Sequence, residues 1–541
     1  MILYYALTTY HIQCCVLHRL TRKKDDTAVL LLSDIHKNSV AFLDRYKNSG
    51  IFDDVLLLKE SEVNANIKKN EQKHRSKNSI LKSACAEIKR VLPITPNSAD
   101  ELYLCPDHFP FGWYVIKNKI KYHCFEEGCG VLSDNRFMMS NMSRNKTQTA
   151  LMNTLGYFGE NDSCVEILAD AQAQAEGFTH PKMTDFSVKK ILENLDEHTL
   201  DKVLSFFGIK ETIKANRNTS LILTQHMANL GIMPLCDQHR LYELFTDYFL
   251  ENTHIAIKPH PDDIAGRYKD IFGNSCTVLP FAMPSELLPY VFDGRVKTAI
   301  AAYSTAVKNL VNFCDRMICF DNRIMDDFRH IHRYYAAVKL AKYLGKNDSI
   351  VTNGNEFLLE ELAKNDDLQT EFRFSNEISD FDGYAIVSDR LCENRKIEDI
   401  SALISSKQNR GWIIFLNEEQ MHIYFDGTDK KVFSKIRPIF IEIKGTEKTH
   451  QEVIYLYSEN KKALENAENF SLTKELKYTG VTIDLHSISK SESEKIKMLE
   501  GVLEATEKRL NGYIENKKAV DARLEAVSYT HLRAHETAAN L

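Results

Sequence analysis

The 541-residue chain has no apolar run long enough to span a bilayer, no CxxC pair, no compact Cys/His cluster of zinc spacing and no strong excess of either charge. Its 69 Lys and Arg against 75 Asp and Glu leave a net charge of −6, which offers no global attraction to nucleic acid. The twelve cysteines, at 14, 15, 85, 105, 124, 129, 164, 236, 276, 314, 319 and 392, read as reduced core thiols of a cytoplasmic protein. The apolar opening, residues 1–20, lacks a basic leader and is interrupted by Thr8, Thr9, His11 and Gln13. It reads as a buried strand over 2–7 and a helix capped by Thr8 or Thr9, rather than as a signal peptide.

What is present is a rhythm. At about 150 residues per domain the length predicts three or four units. Apolar runs at 28–32, 54–58, 102–105, 113–116 and 122–125 read as strands separated by helices, followed by a polar, helix-rich stretch over 135–216. A second series of strand-like runs follows at 220–224, 254–257, 276–279, 298–301 and 317–320. Alternation of this kind predicts an α/β protein with two Rossmann-like domains facing across a cleft, over 1–215 and 216–345. Further strand-like runs at 384–387, 412–416, 421–425, 438–443 and 453–457 predict an additional α/β module over 370–488. Ile496, Leu499, Leu503, Thr506, Leu510, Tyr513, Lys517, Val520 and Leu524 recur at alternating three and four spacing. They predict one long helix over 489–526, docked on its own domain or joining copies as a coiled coil. Residues 527–541 have no apolar period, resemble non-native read-through and are set aside from the fold.

Three constellations carry chemistry. Glu126-Glu127-Gly128 stands at the carboxyl end of an apolar strand, where parallel sheets collect their ligands. Neighbouring carboxylates raise one another's pKa and suit a general base, and Gly128 suits a sharp turn; an ordinary acidic turn is the plainer reading of the three residues alone. The second is Lys258-Pro259-His260-Pro261, in which prolines on both sides fix the backbone and aim the imidazole. An aimed imidazole at a strand end serves a departing phosphate, and Lys258 adds charge. In the third, Ser304 and Thr305 meet a helix start after another apolar strand, which is either a plain N-cap or an anion cradle for a nucleotide phosphate.

Taken in this order, the three motifs resemble those of bacterial sialyltransferases, especially glycosyltransferase family 52 and the bacterial polysialyltransferases. Leu223-Thr224-Gln225, Pro284-Ser285-Glu286-Leu287-Leu288 and the opening Ala6-Leu7-Thr8-Thr9-Tyr10-His11 add to the resemblance, which covers about residues 1–345. It implies a GT-B fold and an inverting, metal-independent transfer of sialic acid, or a related nonulosonic acid, from a CMP-sugar to a glycan acceptor. It implies no cofactor beyond that donor. Glu126 would be the base with Glu127 as partner or substitute, and His260 the acid or phosphate stabiliser. Lys258, Ser304, Thr305, Thr224, Gln225, Ser285 and Glu286 would line the donor site. The family usually ends near the second domain, so the resemblance says nothing of 370–526.

A CDP-glycerol or CMP-Kdo type transferase, or a non-catalytic scaffold on a transferase fold, are the competing readings. The segment 68–90 carries eight Lys or Arg against two Glu and reads as a solvated basic loop, or as a peripheral contact with anionic lipid on the inner face of the membrane, where a lipid-linked acceptor would reside.

Overall fold

The computed structural model describes residues 1–480 apart from 74–75, 129–130, 134–145, 210–211, 215–217, 229–231, 252, 262, 264–265, 274–275, 281–282, 303, 305–306, 308–309, 311, 321–323, 346–348, 353–355, 375–383, 388–410 and 426–429. The expected long helix over 489–526 and the tail over 527–541 lie outside the described residues. The described chain divides between Ile209 and Lys210 into two compact units.

The first unit is built on seven parallel strands: β1 (Ile2–Ala6), β2 (Ala28–Ser33), β3 (Asp54–Leu58), β4 (Glu101–Cys105), β5 (Tyr122–Phe125), β6 (Cys164–Ala169) and β7 (Met183–Asp185). Their order is β3-β2-β1-β4-β5-β6-β7. The chain therefore runs outward from β1 to β3, returns past β1 with β4, and continues the other way, which makes a topological switch point between β1 and β4. Every residue of β1 is buried, as a central strand covered on both faces requires. It leads into helix α1 (Thr9–Thr21) through a capping box in which the Thr8 hydroxyl accepts from the His11 amide while the His11 ring accepts from the Thr8 amide.

Three expectations fail in this unit. Residues 113–116 belong to a helix, Pro110–Lys117, rather than to a strand. Pro110 suits the first helical turn, and an apolar run buried on all sides looks the same in either state. The stretch after 135 contributes β6 and β7, because Glu166 makes β6 look polar while its side chain pairs across the sheet with His123 at 2.8 Å. The basic segment 68–90 is no loop: helices Glu60–Gln72 and Lys77–Val91 account for most of it, and Ile80, Leu81, Ala84, Cys85 and Ile88 are buried.

The second unit holds β8 (Ile213–Lys214), β9 (Thr219–Leu223), β10 (His254–Lys258), β11 (Thr277–Val278), β12 (Phe292–Asp293), β13 (Val296–Ala301) and β14 (Cys314–Cys319). Five of these form a parallel sheet ordered β11-β10-β9-β13-β14, with a switch point between β9 and β13, while β8 pairs with β12. A further sheet comprises β15 (Ile350–Thr352), β16 (Phe372–Phe374), β17 (Tyr384–Val387), β18 (Trp412–Phe415), β19 (Ile436–Lys444), β20 (Thr449–Ser458) and β21 (Leu472–Glu475), in the order β16-β15-β17-β18-β20-β19-β21. It is parallel through β18 and antiparallel at β18-β20-β19. Residues 421–425, expected as a strand, end the helix Glu418–Phe425, where the Gln420 amide donates to Asn417 Oδ1 and two glutamates open the first turn.

One apolar cluster runs through both large sheets of this unit, from Ile222, Ile257 and Ile300 to Ile386, Ile414, Ile441 and Leu456. Buried Asp247, on the helix Leu235–Phe249, also accepts from the amides of Lys477, Tyr478 and Thr479 just beyond β21. The expected domain over 216–345 and the expected module over 370–488 thus share one core.

Candidate active site

In the first unit, polar groups gather past the carboxyl ends of β1, β4 and β5, around the switch point. Glu126 follows β5 directly, and its amide still donates to Leu168 on β6. Its carboxylate is 4% exposed and is held at both oxygens: the Gln174 amide donates to Oε1 at 3.0 Å and Oε2 at 3.1 Å, and the Leu132 amide to Oε1 at 3.3 Å. Burial pushes this carboxyl up to about 7, against the pull of those donors. Gly128 is not in the left-handed region, and a Cβ there would meet nothing closer than Val131 Cγ2 at 3.6 Å. The turn it was expected to permit does not depend on glycine.

Glu127 points to different company. Its Oε2 lies 3.6 Å from His11 Nε2 and 3.7 Å from Cys105 Sγ, which donates to it, and its side chain is 14% exposed. Burial, and then the charge of Asp107, push its carboxyl up to about 8. Burial and then His108 push the His11 imidazole down to about 3, so the ring is neutral at physiological pH. Because Nδ1 accepts from the Thr8 amide, the ring proton sits on Nε2 and faces Glu127. His11, Cys105 and Glu127 offer nitrogen, sulfur and oxygen atoms within 4.8 Å of one another, a donor set for a cation. In this tautomer, however, Nε2 presents a proton rather than a lone pair. Around the trio two carboxylates have structural duties: Asp107 accepts from the Phe158 and Gly159 amides and the Tyr122 hydroxyl, and Glu60 from Tyr5, Ser33 and the Phe111 amide.

In the second unit the expected residues follow three adjacent strands. Thr224 and Gln225 succeed β9, Lys258 ends β10 with His260 two residues on, and Ser304 follows β13. Thr224 links the first two groups. Its amide donates to the Lys258 carbonyl at 3.1 Å, and its hydroxyl accepts from the His260 amide at 3.0 Å while donating to Asp263. Asp263 is 8% exposed and also accepts from Gln238 Nε2 at 2.9 Å and from the Tyr268 hydroxyl. The His260 ring stacks on His226, with centroids 3.9 Å apart and planes at 25°. Lys258 is buried, its ammonium donating to the Pro259 carbonyl at 2.8 Å. Burial pushes it down to about 8, with the Glu286 carboxylate acting in the opposite sense. Ser285 donates to Glu286 at 3.3 Å. The Ser304 carbonyl accepts from the Val307 amide; Thr305 lies outside the described residues.

Sequence reading gave no role to His226, Asp263, Gln238, Tyr268 and Gln174, nor to His11 and Cys105. His226 stands one residue beyond Gln225 and was legible by proximity. The others are brought in by helices and loops that carry no motif.

Two parallel sheets, each with polar side chains collected at its switch point, define an α/β protein with two Rossmann-like sheets. The family model described as Alpha-2,8-polysialyltransferase (POLYST) matches residues 7–271, just under half of the chain, which takes in α1 and the strands from β2 to β10. Over that stretch the chain is similar to the polysialyltransferases, a likeness that supports glycosyltransferase activity. No curated protein matches it. Among solved structures, it is similar to the UDP-GlcNAc 2-epimerase of Methanocaldococcus jannaschii in complex with UDP-GlcNAc and UDP, at 14% identity over 60% of this chain and 90% of that one, with a TM-score of 0.34. Among the described residues, no helix is long and apolar enough to cross a membrane.

Proposed function

We propose that this glycosyltransferase moves a sialic acid or related nonulosonic acid from its CMP-linked donor to a glycan hydroxyl, with inversion and without a metal ion. The acceptor oxygen bonds to the anomeric carbon as the bond from that carbon to the CMP phosphate oxygen breaks. The acceptor's proton passes to a carboxylate, and the bonding pair leaves with the phosphate. An oxocarbenium-like transition state needs a base on one face and charge stabilisation on the other.

The observation that carries this reading is the construction around His260. Its backbone is tied through Thr224 to buried Asp263, its ring is backed by His226, and it follows a strand end next to a switch point. A ring held in this way is suited to a departing phosphate, with Lys258 supplying charge and Ser304, Thr305, Gln225, Ser285 and Glu286 completing the donor site. For the base, hydrogen bonds at both oxygens of Glu126 favour a loop-holding role. Glu127, whose Oε2 receives the Cys105 thiol and whose Oε1 has no hydrogen bond among the described residues, takes the proton.

The test is turnover of CMP-sialic acid beside CMP binding measured by thermal shift. His260→Ala should weaken both, because the imidazole meets the phosphate in the ground state and the transition state. Glu127→Gln should lower kcat by about a hundredfold with CMP affinity kept. Turnover of CDP-glycerol or CMP-Kdo with none of CMP-sialic acid would overturn the donor assignment. A chain that CMP leaves unstabilised would favour a scaffold.

A peripheral position on the inner membrane face, with a lipid-linked acceptor, and assembly through residues 489–526 complete the proposal.

A further inference from the structure

The helix cap at the start of α1 does more than end a strand. Its third residue is a histidine, and a histidine used in this way has one ring nitrogen committed and the other left to face outward from the cap. Here Nδ1 accepts from the Thr8 amide at 3.2 Å, so Nε2 carries the proton. His11 is fully buried, and its Nε2 has no hydrogen-bond partner among the described residues. Its nearest acidic neighbour is Glu127 Oε2, at 3.6 Å. From β4, Cys105 Sγ donates to that same oxygen. Two neutral donors, one from the first turn of α1 and one from the end of β4, therefore face one oxygen of Glu127.

We propose that His11 is a positioning residue: the Thr8 cap fixes its tautomer, and its Nε2–H, with the Cys105 thiol, holds Oε2 of Glu127 so that Oε1 receives the acceptor's proton. This rests on Glu127 being the base. The gap of 3.6 Å closes when the carboxylate gains full charge, since a donor to a charged acceptor draws in and strengthens. Deprotonation of Glu127 is thereby coupled to the first turn of α1. Burial, then Asp107 and Cys105 from the end of β4, set the ionisation of Glu127; His11 from α1 and Cys124 from β5 face it, with His108 and His36 acting on His11.

A pair of substitutions separates the two nitrogens, because the side-chain oxygen of Asn stands near the place of Nδ1 and the side-chain nitrogen of Gln near that of Nε2. His11→Asn keeps the acceptor for the Thr8 amide and removes the donor to Glu127. It should melt within a few degrees of wild type, bind CMP as tightly, and lose about tenfold in kcat, with the acid limb of the kcat profile moved to higher pH. His11→Gln keeps the donor and loses the cap acceptor, so it should melt lower with the limb in place. Cys105→Ala should move the limb in the same direction as His11→Asn. An unmoved limb in His11→Asn, with Glu127→Gln inactive, overturns the positioning role and leaves the base assignment standing. Full turnover in Glu127→Gln removes the base assignment and the proposal with it.

Discussion

At the residue scale, the two units expose carboxylates and cations to the same force, burial, with opposite signs. Lys258 is the clearest case. Its amino group is pushed down to about 8 in the fold, below the ordinary value of about 10.4 in an unfolded chain. Below pH 8 both states hold the proton and the full cost of burying the charge is felt. Between about 8 and 10 the unfolded chain binds more protons, so stability should rise with pH across that window. Urea melts at pH 7 and pH 9.5 would show it, and Lys258→Met should flatten the difference. Donor affinity should run the other way, with CMP binding weakening above pH 8 as the cation is lost; an unchanged CMP affinity from pH 7 to 9.5 would remove Lys258 from the donor site. Asp263 gives a sharper structural test. Asp263→Ala leaves Gln238, Tyr268 and Thr224 without their shared acceptor. It should cost about 3 kcal/mol, since each buried group left unsatisfied costs roughly 1–3 kcal/mol.

At the scale of elements, the caps and close approaches decide which apolar runs become helices. Thr8→Ala removes a side-chain acceptor at the start of α1 and should cost about 1 kcal/mol in a denaturant melt. The helix Pro110–Lys117 depends on a contact that no periodicity announces. A Cβ at Gly112 would lie 2.1 Å from the Asp107 carbonyl oxygen, so the helix packs backbone against backbone there. Gly112→Ala should destabilise by about 3 kcal/mol, the upper part of the range for overpacking. Because Asp107 receives the Phe158 and Gly159 amides, the damage should extend to that loop, visible as faster amide exchange at both residues.

For the whole molecule, the shared core of the second unit sets what can be removed. A chain ending near 345, where the resemblance to sialyltransferases stops, would expose the faces of Ile222, Ile257 and Ile300 that pack in the same cluster as Ile414, Ile441 and Leu456. Such a truncation should give insoluble protein or a non-cooperative melt in its second unit, whereas an independent module would leave a folded remainder. Chelation bears on the reaction as a whole. Turnover should survive EDTA, because the charge on the leaving phosphate is assigned to His260 and Lys258; loss with EDTA and rescue by magnesium or manganese would reverse that assignment.

What the sequence determined by itself was local and repetitive. The strands β1 to β5 other than the mistaken run at 113–116, the strands of the second sheet and the Thr8 cap were all legible, because periodicity and capping chemistry are short-range signals. The tertiary structure alone decided the rest. β6 was hidden because a cross-strand partner, His123, makes a half-buried Glu166 acceptable, and no window along one strand contains that partner. Asp263 became a shared acceptor only when a helix and a strand end delivered Gln238 and Thr224 to it. Compact Cys/His spacing was absent, yet His11, Cys105 and Glu127 meet, because residues far apart in sequence come together wherever neighbouring parallel strands end side by side.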